Sequence, residues 1–343
     1  MTLPVVVLAE PLYHPAGEDL LRRHANVRCL VGPTAGQVRE ACADADALIA
    51  RYPHRVDAAL LDAAPRLVVV ACSGRGTDAI DVEAATARGV AVVNNPGFGR
   101  RPVSEAAIAS ILALAKRLVA SDAWMRRGEG WAHRSDFSEF LELEGKTLGV
   151  VGFGEVGTET ARKAIAAFGM RVLAYDPYVP AEVMRRVGVE PSGTLDALLE
   201  AADVVTLHPE LTAETRGMID LPQLRRMKRS AFLVNTSRGK VVVQSALVRA
   251  LTERWIAGAA LDVYEDEPMG PDSPLYTLDT LLLTPHVAGL SREAVEGMSL
   301  SAARQVLQAL SGERPPHLLD PAAWPAAAAR AARSDRLLET APR

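Results

Sequence analysis

The chain has 343 residues, more than one ordinary hydrophobic core accommodates, so two domains are expected. Its formal net charge of −4 is small and gives no electrostatic basis for binding nucleic acid or an anionic membrane surface. No apolar run approaches the length of a membrane span, and Cys29, Cys42 and Cys72 lack a metal-type spacing. We therefore expect a globular protein of a reducing cytoplasm, without nucleic-acid, membrane or metal partners.

Short apolar runs alternate with helix-like stretches in the N-terminal part of the chain. The predicted strands are VVVLAE, VRCLV, ALIARY, LVVVACS and VAVVN, with segments such as EDLLRRHA and DVEAATARG between them. This alternation is typical of a parallel sheet covered on both faces. The Gly-, Pro- and Arg-rich residues 94–104 are interpreted as a linker at a domain edge.

The next predicted element is a long helix over SEAAIASILALAKRLVASDAWMRRG. Ser104 is the expected N-cap, and Glu105 suits the positive end of the helix dipole. Apolar residues cover more than one face of this helix, which favours burial against another domain or subunit.

The alternation restarts at Thr147, where TLGVVGFG, RVLAYD, DVVTLHP, AFLVNTS, GAALDVY and LLLTPH are predicted strands. Six strands with intervening helices match the doubly wound dinucleotide-binding arrangement. A last helix is predicted over SREAVEGMSLSAARQVLQALSG, and the Ala- and Arg-rich tail beyond it is assigned no chemistry.

A glycine pattern, Gly152-x-Gly154-x-x-Gly157, lies between the first strand of this second series and a helix. The pattern alone is weak, but in this context Gly152 permits a tight turn and Gly154 lets the backbone approach a pyrophosphate. Gly157 lets the helix pack closely on the strand, and the phosphate binds at the helix N-terminus. The Glu155 carboxylate would repel phosphate, so its side chain is expected to face solvent.

The next strand ends at Asp176, nineteen positions after Gly157. An acidic side chain there accepts hydrogen bonds from both ribose hydroxyls and repels a 2′-phosphate, and no arginine follows at once. The sequence therefore predicts NAD rather than NADP as the cofactor.

Three later predicted strands end in polar groups that packing does not explain. Arg238 follows LVNTS, Asp262 and Glu267 lie in ALDVYEDEP, and His286 follows LLLTP. Ligands of open parallel sheets bind beyond the carboxyl ends of strands, so one cleft is expected to hold all of them. Each alone would ordinarily be a structural hydrogen bonder, but their joint occurrence favours a catalytic site.

These residue types suit hydride transfer at a carbon that bears oxygen. His286 would donate a proton to a carbonyl oxygen, or remove it in reverse, because imidazole titrates near neutral pH. Glu267 would hold the ring in one tautomer and favour its protonated form. Arg238 would bind a carboxylate bidentately, and Asp262 would accept the nicotinamide carboxamide.

GKTLGVVGFGEVG, NTSRGKVV, AALDVYEDEP and LTPHVAG occur in the order and spacing of one family. From its first strand to about Trp324, the sequence resembles the D-isomer-specific 2-hydroxyacid dehydrogenases, among them phosphoglycerate and D-lactate dehydrogenases and glyoxylate and hydroxypyruvate reductases. The resemblance implies an oxidoreductase that interconverts a D-2-hydroxy acid and its 2-oxo acid, with Arg238, Glu267 and His286 as catalytic residues.

The resemblance also implies which residues contact NAD: Gly152, Gly154, Glu155, Val156, Gly157, Asp176, His208, Pro209, Thr215, Thr236, Ser237, Arg238, Asp262, His286 and Gly289. The substrate contacts that we expect are Arg51, Ser73, Gly74, Arg75, Gly76, Arg238 and His286; of these, Arg51 and Arg75 are our own hypothesis and are not implied by the resemblance. It further implies two Rossmann-like α/β domains, one inserted into the other. Residues 1–101 and 291–325 would form a flavodoxin-like substrate domain, residues 102–290 the NAD-binding domain and residues 326–343 a tail. A homodimer would form through the helix after Ser104.

The substrate-domain loop CSGRGTDAID departs from the family pattern. Arg75 occupies a position that is usually small or apolar, and Ala79 replaces the usual Asn. In the family, backbone N–H groups of this loop bind the substrate carboxylate. We hypothesise that Arg75, alone or with Arg51, Arg100 or Arg101, binds a second anionic group of the substrate; the alternative is that these arginines are only solvated. Pro209 also lies one position earlier than the usual proline.

Two alternative functions remain at this stage. A formate dehydrogenase of the same superfamily needs no proton relay and carries Gln at the position of Glu267, which disfavours it. An NAD-sensing corepressor of the same fold can retain the three catalytic residue types, but the chain has no basic region or obvious added recognition segment.

Overall fold

The computed structural model describes residues 3–134 and 140–333. The chain forms two compact units. The first comprises the chain up to Gly99 together with the chain from Leu290, and the second spans Arg100–Gly289. The first unit is therefore assembled from both ends of the chain, and the second is a continuous insertion.

The first unit contains a five-stranded sheet. Its strands are β1 (Val5–Leu8), β2 (Asn26–Cys29), β3 (Ala47–Ala50), β4 (Val69–Cys72) and β5 (Ala91–Val93). They pair in parallel in the order β2-β1-β3-β4-β5, the flavodoxin-like order. Every residue of β1, β3, β4 and β5 is buried, as expected of a parallel sheet covered on both faces.

Six α-helices of the first unit lie in the described part of the chain. Four lie between its strands: α1 (Pro15–Arg22), α2 (Ala35–Cys42), α3 (Ala58–Ala63) and α4 (Val82–Ala87). Two come from the C-terminal part of the chain, and in chain order they are α12 (Arg292–Leu310) and α13 (Trp324–Arg333). A Cβ atom on Gly17 would lie 2.3 Å from the Ser299 carbonyl oxygen, so only glycine allows α1 to approach α12 this closely.

The helix α13 extends into the predicted tail of residues 326–343. Ala327 and Ala331 are buried in the same apolar cluster as Val6 of β1 and Val306 of α12. Arg330 donates hydrogen bonds to the carbonyl oxygens of Leu67, Arg88 and Gly89, and burial lowers the pKa of its guanidinium. Residues 326–333 thus belong to the first unit, while residues 334–343 lie outside the described residues.

The second unit contains a seven-stranded sheet. Its strands are β6 (Thr147–Val151), β7 (Arg171–Tyr175), β8 (Glu190–Pro191), β9 (Val204–Leu207), β10 (Phe232–Asn235), β11 (Gly258–Leu261) and β12 (Leu281–Leu283). All pair in parallel, in the order β12-β11-β10-β9-β6-β7-β8. The strand order reverses between β6 and β9, where doubly wound folds bind their ligands. The predicted fold class, two doubly wound α/β sheets, is confirmed.

Seven α-helices accompany this sheet in the described residues: α5 (Arg100–Ala115), α6 (Leu118–Arg126), α7 (Glu155–Phe168), α8 (Ala181–Arg186), α9 (Leu195–Ala201), α10 (Leu221–Arg226) and α11 (Gln244–Thr252). No helix in the described part of the chain is long and apolar enough to traverse a lipid bilayer.

The helix predicted to begin at Ser104 begins earlier, at Arg100, and it is interrupted. Pro102 is tolerated because the N–H groups of a first helical turn have no partner within the helix. Ser104 lies inside α5, where its hydroxyl donates to the Arg101 carbonyl oxygen at 2.8 Å, so the N-cap prediction is wrong. At Arg117 the backbone has φ 46°, a left-handed conformation that separates α5 from α6.

Candidate active site

The turn between β6 and α7 depends on three glycines. Gly152 has φ 85°, and a Cβ atom there would lie 2.6 Å from the backbone nitrogen of Pro209. A Cβ atom on Gly157 would lie 2.1 Å from the Gly152 carbonyl oxygen. At Gly154, the N-cap of α7, a Cβ atom would meet nothing within 4 Å. Gly152 and Gly157 are thus required for packing, and Gly154 leaves open space at a helix N-terminus suited to phosphate.

The first turn of α7 begins with Glu155, which is exposed, and Val156, which is half-buried. Asp176 directly follows β7, and its two carboxylate oxygens accept N–H groups of Phe153, at 2.8 Å, and Tyr178, at 2.9 Å. The carboxylate is therefore fixed beside the glycine turn, where dinucleotide-binding folds bind the ribose hydroxyls.

The segment after β9 begins with His208 and Pro209. The Nε2 atom of His208 lies 3.0 Å from the hydroxyl of the buried Thr206, and Nδ1 is shielded without a partner among the described residues. Burial lowers the pKa of His208 to about 3, so its ring is neutral at physiological pH. Farther along, the Thr215 hydroxyl donates to the Glu210 carbonyl oxygen at 2.6 Å and shapes this loop.

The segment after β10 contains Thr236, Ser237 and Arg238. Its conformation is set by Asn235, which sequence reasoning missed. The Asn235 Oδ1 atom accepts the Ser237 N–H at 3.0 Å and hydroxyl at 2.8 Å, and Nδ2 donates to the Arg238 carbonyl oxygen at 3.0 Å. Arg238 is half-buried, and one guanidinium N–H donates to the Ser237 carbonyl oxygen at 2.8 Å.

Two buried polar atoms beyond the carboxyl ends of β9 and β10 bear on whether the site fits a dinucleotide. His208 Nδ1 and Thr236 Oγ1 are buried without a hydrogen-bond partner in the described structure. Buried polar atoms are rarely left unpaired, so a polar partner from outside the chain fits these positions. Together with the open space at Gly154, they fit a dinucleotide laid along the carboxyl ends of β6, β9 and β10.

A close backbone contact joins the segment that carries Arg238 to the one that follows β11. A Cβ atom on Gly239 would lie 1.8 Å from the Tyr264 carbonyl oxygen, so no other residue type fits. Tyr264, also missed from the sequence, donates its N–H to Oε1 of Glu267 at 2.8 Å. Its hydroxyl donates to the carbonyl oxygens of Thr284, at 2.8 Å, and Leu261, at 3.2 Å. Burial, with the Asp262 charge, raises the pKa of Tyr264 to about 12, which keeps this hydroxyl a donor.

Asp262 is buried and holds the segment that follows β12. Its Oδ1 atom accepts the Thr284 hydroxyl at 2.6 Å and the Val287 N–H at 2.9 Å, and Oδ2 accepts the Ala288 N–H at 2.9 Å. The carboxylate thus organises the residues on both sides of His286. These hydrogen bonds are additional to the contact that Asp262 is predicted to make with a nicotinamide carboxamide. Gly289, half-buried, directly follows this segment.

The side chains of His286 and Glu267 are hydrogen-bonded to each other. The Nδ1 atom of His286 lies 2.7 Å from Oε2 of Glu267, and the Glu267 side chain is 13% exposed while that of His286 is 45% exposed. His286 has φ 54°, a conformation uncommon for residues other than glycine, and its N–H donates to the Thr284 carbonyl oxygen at 3.0 Å. A backbone strained in this way persists where its surroundings hold it, as Asp262 does here.

The predicted substrate contacts Arg51, Ser73, Gly74, Arg75 and Gly76 lie in the first unit, after β3 and β4. The Ser73 N–H donates to the Ala50 carbonyl oxygen at 2.9 Å, and Arg75 is exposed. The Arg51 guanidinium lies 4.5 Å from the centre of the Tyr13 ring and donates to the Pro11 carbonyl oxygen at 2.9 Å. Arg100 and Arg101, in the second unit, are both exposed.

Within residues 3–134 and 140–333, no group of three or more His, Cys, Asp or Glu side chains is placed so that it could hold a metal ion. The three cysteines all lie in these ranges and form no disulfide. Burial raises the pKa of the Cys42 thiol to about 12.

Comparison with known proteins places this geometry in context. Residues 108–288 match the family model described as "D-isomer specific 2-hydroxyacid dehydrogenase, NAD binding domain". A glyoxylate reductase of Korarchaeum cryptofilum is 43% identical over 290 residues, which are 84% of this chain and 86% of that protein. A D-3-phosphoglycerate dehydrogenase of Methanocaldococcus jannaschii is 39% identical over 308 residues, 90% of this chain but only 58% of that longer protein.

The solved structures include an NADPH-dependent glyoxylate/hydroxypyruvate reductase of Sinorhizobium meliloti, in complex with NADP and malonate. It superposes with a TM-score of 0.83 at 29% identity, covering 94% of this chain and 98% of that one. The family model spans the glycine turn, Asp176, Arg238, Glu267 and His286. The chain therefore belongs to the D-isomer-specific 2-hydroxyacid dehydrogenase family, and its residues 108–288 match the NAD-binding domain of that family.

Proposed function

We propose that this protein interconverts a D-2-hydroxy acid and its 2-oxo acid with NAD, using His286 as the acid and base. The observation that carries the proposal is the 2.7 Å contact between His286 Nδ1 and Glu267, on the same sheet edge as the glycine turn. Bound nicotinamide would supply or accept the hydride. Because Glu267 accepts the Nδ1 proton, Nε2 of His286 is the atom that gives a proton to the substrate oxygen, or takes it in reverse.

Arg238 binds and orients the substrate in this proposal. Its guanidinium pairs with the substrate carboxylate and polarises the adjacent carbonyl group. Gly239 lies very close to Tyr264, and the Tyr264 N–H donates to Glu267. These contacts support a fixed distance between the segment with Arg238, which binds the substrate, and the segment with Glu267, which holds His286.

Replacing His286 tests the proton transfer. In His286→Ala, turnover of the best 2-oxo acid should fall by at least about 100-fold, a typical loss for a missing acid-base group. The dissociation constant for NADH, measured by fluorescence titration, should change little. His24→Ala, in the first unit, is the matched control. Wild-type turnover in His286→Ala would refute the assignment.

The substrate is to be found with an NADH-oxidation panel of glyoxylate, hydroxypyruvate, pyruvate, phosphohydroxypyruvate and bulky 2-oxo acids. If none is reduced by the wild-type protein, the proposed function fails. The panel also tests the cofactor, since the Asp176 carboxylate would repel a 2′-phosphate. A kcat/KM at least about tenfold higher with NADH than with NADPH is expected, and equal values would contradict this role of Asp176.

We also propose that Arg75, alone or with Arg51, Arg100 or Arg101, binds a second anionic group on the substrate. Its exposure on a loop predicted to bind the substrate carboxylate supports this. Arg75→Ala should then lower kcat/KM more for dianionic than for monoanionic substrates. Loss by the same factor for both would contradict it.

A homodimer through α5 and α6 is a further part of the proposal. No residue of α6 is buried, and Leu118, Val119 and Met125 are each more than half exposed. Sedimentation should give twice the chain mass, and a monomer at micromolar concentration would refute the dimer. A cytoplasmic location, proposed from the cysteine pattern, can be checked by cell fractionation.

A further inference from the structure

The loop after β4, predicted to bind the substrate carboxylate, is held through its carbonyl groups. The Asn95 N–H donates to the Gly74 carbonyl oxygen at 3.0 Å, and Asn94 Nδ2 donates to that of Arg75 at 2.8 Å. Asn95 Nδ2 donates to the carbonyl oxygen of Cys72 at 2.7 Å. Two adjacent asparagines, in a segment that the sequence suggests is a linker, thus bind the carbonyl groups of Gly74 and Arg75 in the loop and that of Cys72 at the end of β4.

These contacts fix the direction of the N–H groups that follow. In a trans peptide the C=O of one residue and the N–H of the next point in opposite directions. Because the carbonyl groups of Gly74 and Arg75 point toward Asn94 and Asn95, the N–H groups of Arg75 and Gly76 point away from these asparagines. Two successive N–H groups turned the same way form an arrangement that binds anions.

The asparagine pair is itself held from α12. Gln305 Nε2 donates to the Asn94 carbonyl oxygen at 3.0 Å and to Asn95 Oδ1 at 3.2 Å, while Gln305 Oε1 accepts the N–H of His317 at 3.2 Å. Asn95 is 1% exposed and Gln305 is 2% exposed, so water cannot replace these bonds. A fully paired buried network of this kind defines one geometry, because leaving any member unpaired is costly.

We propose that Asn95 and Gln305 are positioning residues that aim the N–H groups of the loop after β4 at the substrate carboxylate. This inference rests on the proposed function. It gives the C-terminal helix α12 a part in substrate affinity through a chain of side-chain amides, although neither residue need touch the substrate.

Steady-state kinetics of Asn95→Ala and Gln305→Ala test the inference. The KM for the best 2-oxo acid should rise by about tenfold, the effect of about one misplaced hydrogen bond to a charged group. The dissociation constant for NADH, which binds the second unit, should stay within about twofold. Ser299→Ala is the matched control, since Ser299 is a buried polar residue of α12 whose hydroxyl accepts the His14 N–H instead. It should lower the melting temperature without changing KM.

The Asn95→Asp variant should show a pH-dependent change in KM, which a loss of stability alone would not produce. When protonated, the new carboxyl group can still donate to the Cys72 carbonyl oxygen, but when ionised it repels that oxygen. Burial raises the pKa of such a carboxyl group. The ratio of variant KM to wild-type KM should therefore be small at about pH 5 and grow severalfold by about pH 8.

The outcomes separate this inference from the proposed function. If the wild-type protein reduces a 2-oxo acid, but the Asn95 and Gln305 variants change only their melting temperatures, the network is merely structural and the inference is wrong. A pH-independent KM ratio for Asn95→Asp would also overturn it. Failure of the wild-type protein to reduce any 2-oxo acid would instead refute the proposed function.

Discussion

At the scale of single residues, Asp262 determines the backbone path of the segment that carries His286. Its carboxylate accepts three hydrogen bonds from residues 284–288, and the histidine between them has φ 54°. The segment that carries His286, the proposed proton donor, is therefore held in place by a buried carboxylate.

Asp262→Asn should weaken this arrangement, because the new NH₂ group would face the N–H of Ala288 or Val287. We expect the free energy of unfolding to fall by about 2 kcal/mol and kcat by about tenfold. Urea denaturation and steady-state kinetics measure the two effects, with the exposed Asp272→Asn as control. An unchanged kcat would show that the Asp262 contacts do not position His286.

His208 makes stability depend on pH. In the unfolded chain its pKa is near 6.5 and in the folded protein about 3, so between these values the unfolded state binds the extra proton. The free energy of unfolding therefore falls as pH drops below about 6.5, by up to about 1.4 kcal/mol per pH unit. His208→Gln removes this proton, so the variant should lose less stability than the wild-type protein between about pH 7 and 4.5. Urea denaturation across that range measures it, and parallel pH profiles would contradict the assignment.

Residue types at strand ends were predictable, but their supporting partners were not. Arg238, Glu267 and His286 follow apolar strands of one sheet, so topology alone brings them to one edge. The roles of Asn95, Asn235 and Tyr264 depend instead on which carbonyl or carboxylate lies within 3 Å, and no periodicity in the sequence encodes that.

At the scale of elements, two glycines at the junction of β6 and α7 have different roles. Gly157 is required because the helix packs against Gly152, whereas Gly154 faces open space. A substitution at Gly157 should therefore destabilise the fold, whereas a substitution at Gly154 should weaken only ligand binding.

Gly154→Ala should leave the melting temperature nearly unchanged and weaken NADH binding by about tenfold or more, because the methyl group occupies the space for the pyrophosphate. Gly157→Ala should lower the free energy of unfolding by about 2 kcal/mol or more, because the helix must move. Calorimetry and fluorescence titration check the pair. Wild-type affinity in Gly154→Ala would contradict a pyrophosphate at this turn.

Element boundaries were the least predictable feature of the fold. All strands with continuous apolar runs were found, but β8 consists of Glu190 and Pro191 and has no apolar pattern to detect. The helix break at Arg117 could not be predicted, because the helical pattern continues through it and nothing in the sequence indicates that this arginine adopts the left-handed conformation.

At the scale of the whole molecule, one of the two apolar clusters of the first unit combines residues from the N-terminal and C-terminal parts of the chain. Val6, Leu8 and Ile49 pack in the same cluster as Ala302, Val306 and Leu310 of α12. The second unit draws its core entirely from residues between Arg100 and Gly289.

This interleaving has a consequence during translation. The inserted unit can fold as soon as it leaves the ribosome, while the N-terminal sheet, synthesised first, must wait with one apolar face uncovered until α12 emerges. Nascent chains stalled once residue 289 has emerged should therefore yield a protease-resistant insert and a digestible N-terminal segment. Equal protease resistance of the insert and the N-terminal segment would mean that the N-terminal sheet folds stably without α12 and α13.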